Sequence, residues 1–425
     1  MNADNANEIL QYIIKNNIIQ MSDVQEAMIM DRQKQVLKRH PYKISKLKDG
    51  RVSTYVADET KKEKRRKIVK KNEEELLKEL CQYYDSCTQK RIDSTSILDL
   101  YSEWLKYKEN QSNRSSYIYR LDKDWIKFYF EEELSQDIIK IPVVQLKKIE
   151  LENWAYSVCK KHKMTKKCYY NMSHIMRSIL DYAEELELIK ENPFRKVKIK
   201  TSFFRKTPKK KSETQVFTKD EERLLIKEAY KAYSEEEDNV LYLMVPMFFY
   251  SGMRLGELSA LEWQDVHEDY LFVHQIYGRE EERDENGNWK TSTFRIIDML
   301  KQNAPFREVL ITPDVTKVLR KIKAYYWKQG ILNPKFVFLD KNRNHPHPSN
   351  VDHIFYRLCD RCNILRRSPH KSRKTYISTL IDGGLNLDFI REQVGHEDER
   401  TTLQNYCFNR ATQDETKEKL VKVLM

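Results

Sequence analysis

The chain has 425 residues, length for roughly two to four domains with a real core in at least one. Lys and Arg number 77 against 65 Asp and Glu, a net charge of +12 that points to a polyanionic partner, nucleic acid first. With no apolar run near the roughly 18 residues that span a bilayer, no signal-peptide layout and only seven cysteines, no membrane partner is expected. A cytoplasmic protein with reduced thiols is expected instead.

Residues 1–42 read as a helical extension of unassigned role, with Ile9, Leu10, Ile13 and Ile14 at helical spacing. Residues 43–90 read as a small DNA-binding module. Alternation around Asp49-Gly50 predicts a hairpin, residues 65–71 a third strand, and "NEEELLKELCQYY" a helix capped by Asn72. A basic sheet backed by one helix suits docking in a DNA groove. Its candidate contacts are Arg51, Arg65, Arg66 and Lys67, interleaved with Val52, Tyr55, Val56, Ile68 and Val69.

Residues 95–194 predict a helical domain, with Ser116 and Thr165 as N-caps and Lys166 and Lys167 turned outward. Residues 195–214 form a basic linker, including Lys209, Lys210 and Lys211, suited to strap round a duplex. Residues 215–425 open with a Thr218–Glu221 capping box and mix helices with the strands "DYLFVHQI", "FREVLIT" and "KFVFLD". The fold class is therefore mixed, mainly α: a helical domain, then an α+β domain with one small antiparallel sheet. Cys359 and Cys362 form one CxxC with no second pair and read as packing residues, so no metal or other cofactor is expected.

Four pieces in the last domain carry chemistry. "YSGMRLGEL" puts Arg254 at a helix start, a fork beside free N–H groups, with Glu257 one turn on to hold the turn or orient Arg254. "SPHKSRKT" sets His370 and Arg373 on one helical face. "VGHEDER" ends a helix at Gly395 and puts His396 in the turn, and Tyr406 follows in "TTLQNYCFNR".

In this order the pieces resemble the tyrosine recombinase (phage integrase) family, with "LKQNAPFREVLIT" standing where that family has its hairpin lysine. Lys301 and Arg307 keep the ends of that lysine motif, Gln302 and Pro305 depart from its middle, and Lys290 in "WKTSTFRII" competes for the role. The resemblance implies a core-site-binding domain over residues 95–194, an arm-site-binding domain over residues 43–90, and a catalytic domain from residue 215 on. It implies a metal-free, cofactor-free reaction through a 3′-phosphotyrosyl intermediate that integrates or excises a mobile element. Arg254 and Arg373 would neutralise the phosphate, Tyr406 would attack, Lys301 would protonate the 5′ oxygen, and His370 and His396 would assist.

It further implies double-stranded DNA with core and arm sites as partner, a homo-tetramer on that DNA, and DNA-bending or excision accessory proteins. In that tetramer the tail after Arg410 would dock on a neighbour. A non-catalytic DNA-binding regulator, or a type IB-like DNA-relaxing enzyme, stands as the alternative.

Overall fold

The computed structural model describes residues 21–112, 114–208, 211–236, 239–299, 306–395, 417, 421 and 424. The expectations for residues 1–20, Lys209, Lys210, Lys301, His396, Tyr406 and most of the tail fall outside them. The chain forms two compact units. One holds the residues up to Tyr107 with Asp122–Arg205, the other Lys108–Leu121 with the chain from Lys206 on.

In the first unit, helix α1 (Met21–Arg39) leads into an antiparallel sheet of order β1 (Ser45–Lys46), β2 (Val52–Ala57), β3 (Arg65–Lys70). Gly50, at φ +85°, makes the turn between β1 and β2. Val52, Val56 and Ile68 bury one face of the sheet against Leu76 and Leu80 of α2 (Glu73–Ser94) and Val36 of α1. Asn72 caps α2 by accepting from Glu75 N–H at 2.8 Å.

Helices α3 (Ile97–Gln111), α4 (Ser115–Trp125), α5 (Lys148–Lys161) and α6 (Lys166–Glu185) follow. Their core in this unit keeps its polar ring atoms satisfied: Trp104 Nε1–H donates to Ser178 Oγ at 3.0 Å and Trp154 Nε1–H to Ser135 Oγ at 2.9 Å. Thr165 caps α6 as expected, accepting from Cys168 N–H at 3.2 Å. Ser116 does not cap α4, because the helix already starts at Ser115.

The basic linker is only partly a strap. Phe194, Val197 and Phe204 are buried, Phe203 packs edge-on against Tyr156, and Arg205 N–H donates to Met164 O at 2.9 Å. The aromatic content of "TSFFRK" outweighs its charge and docks the stretch through Arg205 on the first unit.

The second unit is built on α7 (Lys219–Glu235), the mostly apolar α8 (Met244–Ser251), the short α9 (Leu255–Ala260), α10 (Pro313–Lys328), α11 (Pro348–Arg361), α12 (Pro369–Asp382) and α13 (Leu387–Val394). Its core gathers Phe217, Phe248, Leu258, Leu271, Val309, Ile322, Phe338 and Phe355.

The single small sheet expected is two separate antiparallel pairs. β4 (Tyr270–Val273) pairs with β7 (Arg307–Leu310), and β5 (Gln275–Glu280) with β6 (Thr293–Asp298). The stretch "DYLFVHQI" therefore splits at His274, whose ring bonds Asp265 at 3.2 Å. "KFVFLD" is not a strand. Phe336 makes one isolated bridge to Glu262, because its partner is the loop after α9 rather than another strand.

Cys359 is buried in the core with Cys362 packed against it, and no His/Cys/Asp/Glu cluster suited to a metal occurs among the described residues. No helix among them is long and apolar enough to cross a membrane.

The predicted capping box is present: Thr218 N–H donates to Glu221 Oε2 at 2.8 Å and Glu221 N–H to Thr218 Oγ1 at 3.2 Å. Glu221 Oε1 also accepts twice, at 3.0 Å, from the buried Arg367. Thr218→Ala should cost about 1 kcal/mol in urea unfolding. Glu221→Ala should cost more, because it strips a buried guanidinium of its carboxylate. Equal losses would show that the Arg367 pair adds nothing to the cap.

Candidate active site

Two helix ends and one strand end build the site. Helix α8 stops at Gly252, in the left-handed region at φ +61°. A Cβ there would lie 2.3 Å from the Tyr376 ring, so only glycine fits. The turn delivers Arg254 as the N-cap of α9. One N–H at this helix start is taken from within: Arg254 N–H donates to Glu257 Oε2 at 2.7 Å. Helix α13 stops the same way at Gly395, φ +64°, as expected.

Glu257 is the hub and is 2% exposed. Arg254 NH1 donates to its Oε1 at 2.7 Å. Arg307, the first residue of β7, reaches both oxygens with its planar fork, NH1 to Oε1 at 2.9 Å and NH2 to Oε2 at 2.7 Å. Burial alone would push the Glu257 carboxyl up. The charges of Arg307, then Arg254 and Arg373, more than offset it and hold the group far below the usual carboxylate range.

Three consecutive carbonyls at the end of α13 each accept from a different arginine. Arg307 Nε–H donates to Gln393 O at 3.1 Å, Arg373 NH2 to Val394 O, and Arg254 NH2 to Gly395 O at 3.3 Å. Arg373 also donates to Gly252 O at 2.7 Å, so its guanidinium bridges the C-terminal ends of α8 and α13. Cations at the negative end of a helix are favoured. Arg373 is buried, whereas the side chain of Arg254 is 45% exposed.

His370 lies in the first turn of α12, three residues before Arg373 as predicted, and is exposed. Loss of hydration, then the charges of Lys374, Arg373, Lys371 and Arg254, push its pKa down to about 4. A bound phosphate would offset the share of that shift that comes from the cations.

The structure thus brings together Arg254, Glu257, Arg373 and Gly395, with His370 in their field. It adds Arg307, which sequence reading placed only at the end of the lysine motif. The signal was there: a single arginine opening a strand whose neighbours are mostly apolar. Lys290 is exposed, and its N–H bonds Glu282 O at 2.9 Å across the β5–β6 connection.

Of the DNA-contact candidates, Arg65, Arg66 and Lys67 are exposed on β3, with Arg65 stacked 4.7 Å over Tyr55. Lys166, Lys167 and Lys211 are exposed too. Arg51 is tied back to Asp49 at 2.6 Å within its own turn.

Residues 215–413 match the family model described as the phage integrase family. The chain is 24% identical over 327 residues to the XerC-like tyrosine recombinase of Caldanaerobacter subterraneus subsp. tengcongensis, across 74% of this chain and 80% of that protein. It is 28% identical over 196 residues to the integrase of Staphylococcus phage L54a, across 41% of this chain and 49% of that one. It shares the fold of the Tn1549 transposon integrase solved in complex with transposon right end DNA. The TM-score is 0.55 at 16% identity, over 78% of this chain and 100% of that one.

The depressed His370 pKa predicts a neutral imidazole through the whole range above about pH 5. Its ring resonances, followed by NMR, should stay flat from pH 8 to pH 5.5. Inorganic phosphate should shift the titration upward. A midpoint at the ordinary value of about 6.5 without phosphate would show that neither loss of hydration nor the surrounding cations act on the ring.

Proposed function

Through residues 215–413 the chain belongs to the phage integrase family, and from that premise we propose that it cuts and rejoins DNA at specific sites through a 3′-phosphotyrosyl intermediate. The observation that carries the proposal is the arginine arrangement. Arg254 is bonded to the Glu257 carboxylate and the Gly395 carbonyl, and Arg373 to the carbonyls of Gly252 and Val394, so both guanidiniums are in place before any substrate arrives. Charge set in place in advance lowers the barrier to a pentacoordinate phosphorane without reorganisation at the moment of reaction.

In the proposed step the Tyr406 phenol oxygen attacks the scissile phosphorus in line. The P–O5′ bond breaks, the phenol proton leaves to a nearby base, and the 5′ oxygen takes a proton. The phosphodiester becomes a tyrosyl ester of equal bond order, so a 5′-hydroxyl from another strand can reverse the step without an energy source. Arg254, with its exposed fork, meets the non-bridging oxygens, and Arg373 fixes the floor of the site. Neutral His370 supplies a hydrogen bond rather than a charge.

We assign proton donation to Lys301 over Lys290. Lys301 opens the seven-residue stretch that Arg307 closes, and Arg307 reaches the hub. His396, directly after the Gly395 carbonyl that Arg254 holds, is assigned as the second histidine.

A regulator built on the same scaffold has no need of a buried arginine clamp, and this chain retains one. The relatives act for a phage and a transposon by name, which supports a mobile element as the substrate here. Recombination of two sites calls for a tetramer, with the basic sheet over residues 43–90 reading a second set of sites.

Tyr406→Phe should abolish covalent attachment to a nicked duplex spanning the element's ends, while binding stays within a few-fold, since only the hydroxyl is lost. Arg254→Ala should slow cleavage by about 10²-fold or more. A protein–DNA adduct persisting in denaturing gels of the Phe variant would move the nucleophile to another tyrosine.

A further inference from the structure

We infer that Arg307 is a positioning residue with an electrostatic role. It takes up the charge of Glu257, so that Arg254 keeps its own charge for the phosphate. The inference deepens the recombinase reading and rests on it.

The hydrogen bonds divide unevenly. Arg307 meets Glu257 fork to fork, one N–H to each oxygen at 2.9 and 2.7 Å. Arg254 spends a single guanidinium N–H on the same carboxylate, at 2.7 Å, and its NH2 contact to Gly395 O is long at 3.3 Å. The bidentate pair is the stronger and more directional of the two. The side chain of Arg307 is only 8% exposed and that of Glu257 only 1%, so this pair is dry, whereas Arg254 stands 45% exposed.

Arg307 cannot swing away. Its Nε–H is held by Gln393 O at 3.1 Å, and its Cδ lies 3.0 Å from where a Cβ on Gly395 would stand. The permanent partner of the carboxylate is therefore Arg307, and Arg254 is its lightly held neighbour.

The charge balance follows. Among these four groups, three guanidiniums and one carboxylate leave a net of two positive charges. Take away the charge of Arg307 and Glu257 has Arg254 as its nearest cation. That pair presents no net charge to an incoming phosphate, and one positive charge remains. Take away both charges and the net returns to two. A purely mechanical role for Arg307 predicts something else, because the double change then loses the fork and gains nothing.

The test uses the full-length protein and Arg307→Gln, Glu257→Gln, the double variant and Arg307→Lys, with thermal melts confirming that each is folded. Inorganic phosphate is the probe, its affinity read from the His370 ring resonances, so no DNA cleavage is needed. Arg307→Gln should weaken phosphate on the order of tenfold, the scale of one unit charge a few ångströms away in a partly wet site.

Adding Glu257→Gln should restore affinity to within a few-fold of the parent. Arg307→Lys, which keeps the charge and loses the fork, should also stay within a few-fold. A folded double variant no better than Arg307→Gln, or a Lys variant as weak as the Gln variant, would overturn the inference.

Rates of covalent trapping on nicked element-end DNA should follow the same order. If the phosphate order holds and the parent never forms a covalent adduct, the recombinase reading falls and the role of Arg307 stands. If the parent forms the adduct and the phosphate order is absent, the role of Arg307 falls alone.

Discussion

The site hangs on one buried carboxylate. Glu257 accepts from the backbone and side chain of Arg254 and from both arms of Arg307, and so joins the turn after α8 to the first residue of β7. The two elements are far apart in sequence, and what brings them to one point is charge in a dry place. A carboxylate removed from water without partners would be protonated or would unfold its surroundings. With two guanidiniums bonded to it and Arg373 close by, it stays ionised, and its charge fixes the direction in which Arg254 points.

The same arginines hold the end of α13. A helix C-terminus leaves carbonyls unpaired, and glycine caps usually satisfy them with backbone N–H groups. Here Gly395 N–H does part of that work, reaching Glu392 O at 3.2 Å. The last three carbonyls are then taken up by side chains from β7, α12 and the N-cap of α9. The end of α13 is thus fixed by the same three arginines that surround Glu257.

Much of this was legible in the sequence, wherever one residue type has one local physical use. Gly395 after a periodic apolar run, Thr218 three residues before Glu221, Asn72 before an acidic first turn, and His370 and Arg373 one turn apart all stand as read. Several of the failures share a cause, since they depended on a distant partner. "KFVFLD" has strand composition, but its neighbour is a loop. "DYLFVHQI" alternates like one strand, yet its two halves pair with β7 and β6. The linker's charge hid the apolar weight of Phe203 and Phe204. Arg307 was visible as a motif end, while its bond to Glu257 spans 50 positions and no local pattern announces it.

Stability alone does not account for such a centre. Three guanidiniums around one carboxylate, two of them nearly dry, is a costly arrangement, and packed apolar residues of similar volume often hold a core as well or better. The cluster also sits beside a core rich in Phe, Leu and Val. An excess of positive charge with one fork facing water is an incomplete electrostatic unit, and an anion completes it. A phosphodiester carries one negative charge spread over two non-bridging oxygens, and as it becomes pentacoordinate it gains a second. In the proposed reaction, the two net positive charges of the arginine–glutamate cluster match the transition state better than the ground state, which is the condition for charge to speed a reaction instead of only binding its substrate.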